Sequence, residues 1–476
     1  MSTWYCDLAL VGDGFTTAVK KNVVLETAGD RITSVASGVR QAPEGSVHLA
    51  GFTMPGLANV HSHAFHRALR GRTQIGHGTF WTWREQMYAA AVHLDPDSYR
   101  TLASAVFAEM ALAGVTCVGE FHYVHHSPRG GSYQDPNAMG SALIEAASAA
   151  GIRITLLDTC YLAGGFDAGN RGHSASGDRG HSPSGNHGHA GGELNEVQKR
   201  FSDGDAGRWA DRVDRLRISL SGNPTARIGA ALHSVRAVPV DQLAPVVDFT
   251  VEYELPLHVH LSEQRAENDA CIARHHRTPT QLLADHGALG PRTTAVHATH
   301  LSQMDIDLLG ASKTAVCMCP TTERDLADGI GPAHTLHGAG APINLGSDSH
   351  AVIDLFEEAR AVELNERLRT ERRGHWRADE LLHAATAAGH SALGWADAGS
   401  LAVGKLADFT TVALDTVRLA GFAQSHAAES VIFAATAADV RHVVVGGRFT
   451  VRDHRHELIE NVPGALSAAI TAAFHH

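Results

Sequence analysis

The chain has 476 residues, of which 44% are hydrophobic and 19% charged, so it can bury a large core and exceeds one ordinary domain. Its formal charge is −12 and its five lysines (Lys20, Lys21, Lys199, Lys313, Lys405) are scattered, which excludes the clustered positive surface that nucleic-acid phosphates need. No basic stretch leads into an apolar one at the start, and no apolar run approaches the roughly 20 residues of a bilayer span, so neither a signal peptide nor a membrane span is expected.

Residues 1–53 carry short strand-like pieces around Gly12-Asp13-Gly14 and Ala28-Gly29-Asp30-Arg31 turns. Eight short apolar runs follow with helical stretches between them. They are Met54–His61, Val115–His122, Ile152–Thr159, Ile228–His233, Leu257–Leu261, Thr294–His297, Thr314–Cys319 and Pro342–Gly346. Alternating runs and helices predict parallel βαβ units, and eight such units close into a (β/α)8 TIM barrel over residues 54–396, with catalytic groups at the C-terminal strand ends. A doubly wound open sheet is the competing architecture, but no G-x-G-x-x-G follows an early strand. Residues 164–192 are rich in Gly, Ser and His and offer almost nothing to bury, which predicts a mobile insert; His173, His181, His187 and His189 there can bind metal adventitiously. Residues 397–460 return to short strands between Gly turns. They are expected to join residues 1–53 in a small flanking β-sandwich domain.

The six cysteines (Cys6, Cys117, Cys160, Cys271, Cys317, Cys319) sit mostly in apolar or helical contexts, which fits a reduced, cytoplasmic protein. Cys317-Met318-Cys319 can bind metal or form a redox pair, but two strand residues pointing one way is the simpler reading.

The strongest chemical signal is PGLANVHSHAFHR. His61 and His63 stand two apart at the end of an apolar run, a spacing that puts both imidazoles on one side of a strand. His260 ends the fifth run, with Glu263 three residues on, and Asp348 ends the eighth. Three His and one Asp form a compact set that suits Zn²⁺, would also take Fe²⁺, and leaves room for water. Ordinary hydrogen-bonded core polar residues are the alternative; four of them at strand C-terminal ends argue against it.

The order H-x-H, later His, later His, later Ser-Asp resembles the amidohydrolase superfamily deaminases over nearly the whole chain, including the closing GSLAVGKLADF. More narrowly, HSHAFHRALRG, FWTWREQMY, EFHYVHH and ALHSVRAV resemble the formimidoylglutamate deiminases of histidine degradation. Some superfamily members bridge two metals with a carboxylated Lys after strand four. No Lys lies between Lys199 and Lys313, so one zinc per chain is expected, held by His61, His63, His260 and Asp348. The resemblance implies hydrolysis of N-formimino-L-glutamate to N-formyl-L-glutamate and ammonia. Asp348 would accept a proton from the water and orient it, and Glu263 would carry a proton to the departing nitrogen. His297 would hydrogen-bond the attacking oxygen, with His300 as its competitor. The dicarboxylate substrate would be met by Arg84, Tyr123, His233 and Arg236, because arginine forks are the usual partners of desolvated carboxylates. His66 replaces the Gln of the better-known HSHAFQR pattern. It can still donate a hydrogen bond, and would be charged if its pKa were raised. A homodimer is implied by the resemblance alone. A nucleobase, guanidine or triazine deaminase is the alternative on the same scaffold, and a non-catalytic metal-binding protein is the alternative outside it.

Overall fold

The computed structural model describes residues 1–14, 16–77, 80–166 and 192–474. The insert histidines His173, His181, His187 and His189 lie outside these. The described ends of the insert are tied together, Gly164 N–H donating to Gly192 O (2.8 Å) and Gly192 N–H to Gly165 O (2.8 Å).

Two eight-stranded sheets build the molecule. The first gathers β1 (Ser2–Gly12), β2 (Thr17–Ala28), β3 (Arg31–Ala36) and β4 (Val47–Pro55) from the front of the chain. The second is a parallel barrel of β5 (Leu57–Ser62), β6 (Val115–His122), β7 (Arg153–Cys160), β8 (Ala226–Leu232), β9 (Leu257–Leu261), β10 (Thr293–His297), β11 (Ala315–Met318) and β12 (Ile343–Leu345). The chain then returns to the first sheet with β13 (Phe409–Val412), β14 (Val440–Val445), β15 (Arg448–Arg452) and β16 (Arg455–His456). The first sheet is mixed, in the order β16-β15-β14-β13-β4-β1-β2-β3, so both chain ends meet in it. Its core centres on Trp4, edge-on to Phe409 (5.3 Å) and Phe449 (5.2 Å).

The apolar run from Met54 to His61 divides between the two sheets. Met54 and Pro55 end β4, and the barrel begins at Leu57. Apolar content continues across the border because the end of β4 (residues 51–55) and all of β5 are buried on both faces. Buried on both sides, as parallel strands covered by helices are, the barrel strands read as nearly unbroken apolar segments. Arg153 locks the sheets together. Its Nε and Nη2 donate to the two oxygens of Asp408 (2.6 and 3.1 Å), and both side chains are buried.

Neighbouring barrel strands pair in order from β5 to β12. Between β12 and β5 the closure is local. Ser62 and Asp348 form a parallel bridge, Asp348 N–H donates to His61 O (2.9 Å) and His63 N–H to Asp348 O (3.3 Å). Gly346 permits this approach, because a Cβ there would lie 2.8 Å from His61 Cβ and 2.9 Å from its backbone nitrogen.

Candidate active site

The strand ends at the closure carry the expected side chains. His61 Nε2 lies 3.2 Å from Asp348 Oδ1, His63 Nε2 3.4 Å from the same oxygen, and His260 Nε2 3.1 Å from His61 Nε2. All four residues are buried. His63 Nδ1–H donates to Phe121 O (2.9 Å) and His260 Nδ1–H to His233 O (2.9 Å); a carbonyl only accepts, so each ring leaves a bare Nε2, that of His63 facing Asp348 and that of His260 facing His61 Nε2. Burial, followed by the neighbouring imidazoles, holds both of these histidines well below their usual pKa. Burial would raise Asp348, but the hydrogen bond from His61 and the charges of His61, His297 and His63 hold it well below the carboxylate range. The bare nitrogens of His63 and His260, with His61 beside them and an ionised Asp348, make a set of donors suited to a cation. Four ligands at about 2.0–2.1 Å in a tetrahedron have edges of about 3.3–3.4 Å, close to the three spacings given above, and donors of this chemistry suit a divalent ion.

The cluster is wider than the expected four. His61, His260, His297 and Asp348 offer ligand atoms all within 4.8 Å of one another, while His63 joins through a second group with His66 and Asp348. His297 differs from the other imidazoles in its surroundings. Its Nε2 lies 3.9 Å from Glu263 Oε1 and 3.8 Å from Asp348 Oδ2, and its Nδ1 3.6 Å from Glu323 Oε1. Burial opposes its charge, yet Glu263, Glu323 and Asp348 outweigh burial and raise its pKa well above the usual value. His297 thus stands among carboxylates that favour its protonated form. Glu263 is raised, chiefly by burial, with His297 opposing and Asp348 adding to the shift. His300, the competitor, is absent from the cavity lining. Ser262, His297, Ala298 and Asp348 all have left-handed backbone (φ 50°, 69°, 49° and 42°), so strain is concentrated at these strand ends.

A cavity of about 640 Å³, counting its open mouth, faces the cluster. His66, Arg84, Tyr123, His233 and Arg236 all line it, together with His63, His260, Glu263, His297 and Asp348; His61 lies behind them. His66 Nε2 and Tyr123 OH are 3.0 Å apart. Burial pushes His66 down to about 3, so it is a neutral partner at neutral pH and not the cation its position allowed. Arg236 Nε lies 3.4 Å from Glu267 Oε1. Arg84 Nε donates to Tyr88 OH (2.7 Å). Sequence reasoning missed Trp83, Met87 and Tyr88, which share one face of the helix Phe80–Val92 with Arg84. It also missed Tyr161, Phe201, Leu326 and Glu323. The i, i+4 spacing of Trp83–Met87 and Arg84–Tyr88 was the available signal.

A separate buried group, His122, His125 and Asp158, faces the helices outside the barrel. Arg212 occupies both Asp158 oxygens (2.8 Å each) and also pairs with Asp203 (2.9 Å), so its guanidinium already supplies the cation there. Cys317 and Cys319 are buried thiols with sulfurs 3.9 Å apart.

Residues 52–450 match the model of the amidohydrolase family. The chain is 35% identical over 466 residues to formimidoylglutamate deiminase of Pseudomonas aeruginosa, covering 96% of each protein. It is 28% identical over 407 residues to 8-oxoguanine deaminase of the same organism, covering 84% of this chain and 82% of that one. The crystal structure of an amidohydrolase from Brucella melitensis superposes with a TM-score of 0.87 at 30% identity, covering 99% of this chain and 100% of that one. With a family match across most of its length and a relative aligned nearly end to end, the chain belongs to the amidohydrolase family.

Proposed function

We propose that this amidohydrolase, a hydrolase of carbon–nitrogen bonds, converts N-formimino-L-glutamate and water to N-formyl-L-glutamate and ammonia. The observation that carries the reading is one cavity holding two arginines, Arg84 and Arg236, opposite Glu263, His297 and Asp348. Two guanidinium groups suit a dicarboxylate, whose desolvation needs charge-assisted hydrogen bonds. The relative from P. aeruginosa named formimidoylglutamate deiminase supports the same choice.

In this reading His61, His63, His260 and Asp348 hold a single divalent ion, zinc or Fe²⁺. When bound, the ion supplies Lewis acidity that brings the pKa of water to about 7. Asp348 orients the attacking water and accepts a proton from it. Glu263, whose pKa burial raises, delivers a proton to the departing nitrogen. His297 donates a hydrogen bond to the oxygen that becomes negative as the formimino carbon turns tetrahedral. Tyr123, His66 and His233 line the path between the reacting carbon and the arginines, and burial followed by Arg236 and Arg84 keeps His233 neutral.

A flat heterocycle is the second reading, favoured by the aromatic walls Trp83, Tyr161 and Phe201 and by the likeness to 8-oxoguanine deaminase. Ammonia release measured side by side on N-formimino-L-glutamate and 8-oxoguanine, on protein of known metal content, separates the two. Turnover of the amidine acid with none of the base is expected. Turnover of the base alone reverses the assignment, and neither with metal bound overturns both.

A further inference from the structure

Behind the metal cluster, on the side away from the cavity, five buried polar side chains form a line. Asn59 Nδ2 donates to Ser347 Oγ (2.7 Å), Ser347 Oγ meets His350 Nδ1 (2.9 Å), His350 Nε2 meets Ser62 Oγ (3.1 Å), and Ser62 Oγ donates to Glu120 Oε2 (2.5 Å). All five are at most slightly exposed. With Glu120 accepting as a carboxylate, the protons run one way. Ser347 N–H donates to Asn59 Oδ1 (2.9 Å), which fixes the amide so that its NH₂ faces Ser347 Oγ. Each hydroxyl has one proton to give. Ser347 therefore donates to His350 Nδ1, His350 donates through Nε2–H to Ser62, and Ser62 donates to Glu120. The other Glu120 oxygen accepts Ala64 N–H (2.7 Å).

The line is interleaved with the proposed metal ligands. Ser62 stands between His61 and His63, and Ser347 and His350 flank Asp348. Glu120 precedes Phe121, whose carbonyl anchors His63 Nδ1. The line also spans the gap between β12 and β5, where a single bridge stands in for a strand ladder. Asp348 and His350 both hold left-handed backbone (φ 42° and 58°), a conformation that persists only where the surroundings over-determine it.

We infer that the Asn59–Ser347–His350–Ser62–Glu120 chain is the positioning element of the metal centre, setting the separation of the His61/His63 turn from Asp348 and thereby the affinity for the ion. It rests on the reading that those residues hold the metal. Supporting partners of metal ligands typically contribute 10–100-fold in metal affinity. Two variants test it. Ser62→Ala removes the hub of the line. Asn59→Asp replaces the donor with an isosteric acceptor, so Ser347 must turn its proton away from His350.

Zinc affinity of the whole chain is measured by competition with a chromophoric chelator, with no substrate present, so a wrong substrate assignment leaves this readout intact. Ammonia release is then followed as zinc is added back. A 10- to 100-fold weaker zinc affinity in both variants is expected, with kcat returning to within about threefold of the parent at saturating zinc. A role only in folding would lower the melting temperature without this rescue. Parental zinc affinity in both variants overturns the inference, as does lost activity that persists with zinc fully bound.

Discussion

Replacing Glu263 with Gln separates its proposed chemistry from its structural setting. The residue is 8% exposed and lines the cavity, with Oε1 3.9 Å from His297 Nε2. Gln matches it in shape, so no cavity opens. The pKa of Glu263 is raised in the fold, first by burial. A group with a raised folded pKa contributes stability that is present below its unfolded value, about 4.3, and lost as pH rises through the folded value. Above the unfolded value the titrating carboxyl is therefore a burden that Gln lacks. Glu263→Gln should equal or exceed the parent in thermal stability and keep its zinc. Activity should move the other way. A positioned proton carrier contributes about 10²–10⁴-fold, which is about 2.7–5.4 kcal/mol of barrier at 1.36 kcal/mol per decade. The assay is ammonia release from N-formimino-L-glutamate across pH 5–9, paired with metal analysis and a melting curve of the same sample. A kcat within threefold of the parent, or a loss that tracks loss of zinc, refutes the assignment.

Other predictions concern separate parts of the molecule. Arg236→Lys keeps a charge beside buried Glu267 but gives up the planar fork, and should raise KM about 10- to 150-fold, the equivalent of one charged hydrogen bond of about 1.5–3 kcal/mol, with a smaller change in kcat. Asp408→Ala leaves the buried Arg153 charge without its carboxylate and should cost about 3–5 kcal/mol in urea unfolding; a loss below about 1 kcal/mol would show that the inter-sheet fork is dispensable. Asp158 and Asp203 are held below the carboxylate range, burial being outweighed by Arg212 at Asp158 and by His126 and Arg212 at Asp203. Stability from depressed carboxylates is present above the unfolded value near 3.9 and lost as pH falls through the folded one, so melting temperature should drop steeply below about pH 4 and Asp203→Asn should flatten that drop.

The gathering of histidines and Asp348 was legible because strand geometry converts sequence spacing into direction. His61 and His63 had to project together, and His260 and Asp348 stood at the ends of runs with strand length. Arg84 and Arg236 came from motif resemblance, since one arginine on a helix or loop has no periodic signature. The border at Gly56 was hidden because β4 and β5 are both apolar and continuous. The partition of imidazoles was also out of reach. Nothing in TTAVHATHL tells that His297 meets three carboxylates, one of them Glu323 from a helix that reads as ordinary. The line from Asn59 to Glu120 crosses from β5 to residues almost 300 positions away, and its members are separately unremarkable polar residues.

The end of β6 shows how one pleat divides these tasks. Successive side chains there alternate between the barrel interior and the helix layer. Phe121 points inward, its ring 5.1 Å from His61 and 4.3 Å from His260, and Tyr123 follows it into the cavity. Glu120 and His122 point outward, Glu120 to Ser62 and His122 toward Tyr99 on the helix Pro96–Leu112. The partner strands match: Ser62 pairs with Glu120 in register, and Asp158 with His122. The aromatic side chains that face the cavity therefore occupy one face, and the polar groups that hold the strand ends occupy the other. A slip of one residue would bring Glu120 and His122 into the cavity and send Phe121 and Tyr123 into the helix layer. The Asp158–Arg212 fork resists that slip at β7, and the Ser62–Glu120 bond resists it at β5, so the outer polar network and the inner chemistry depend on the same register.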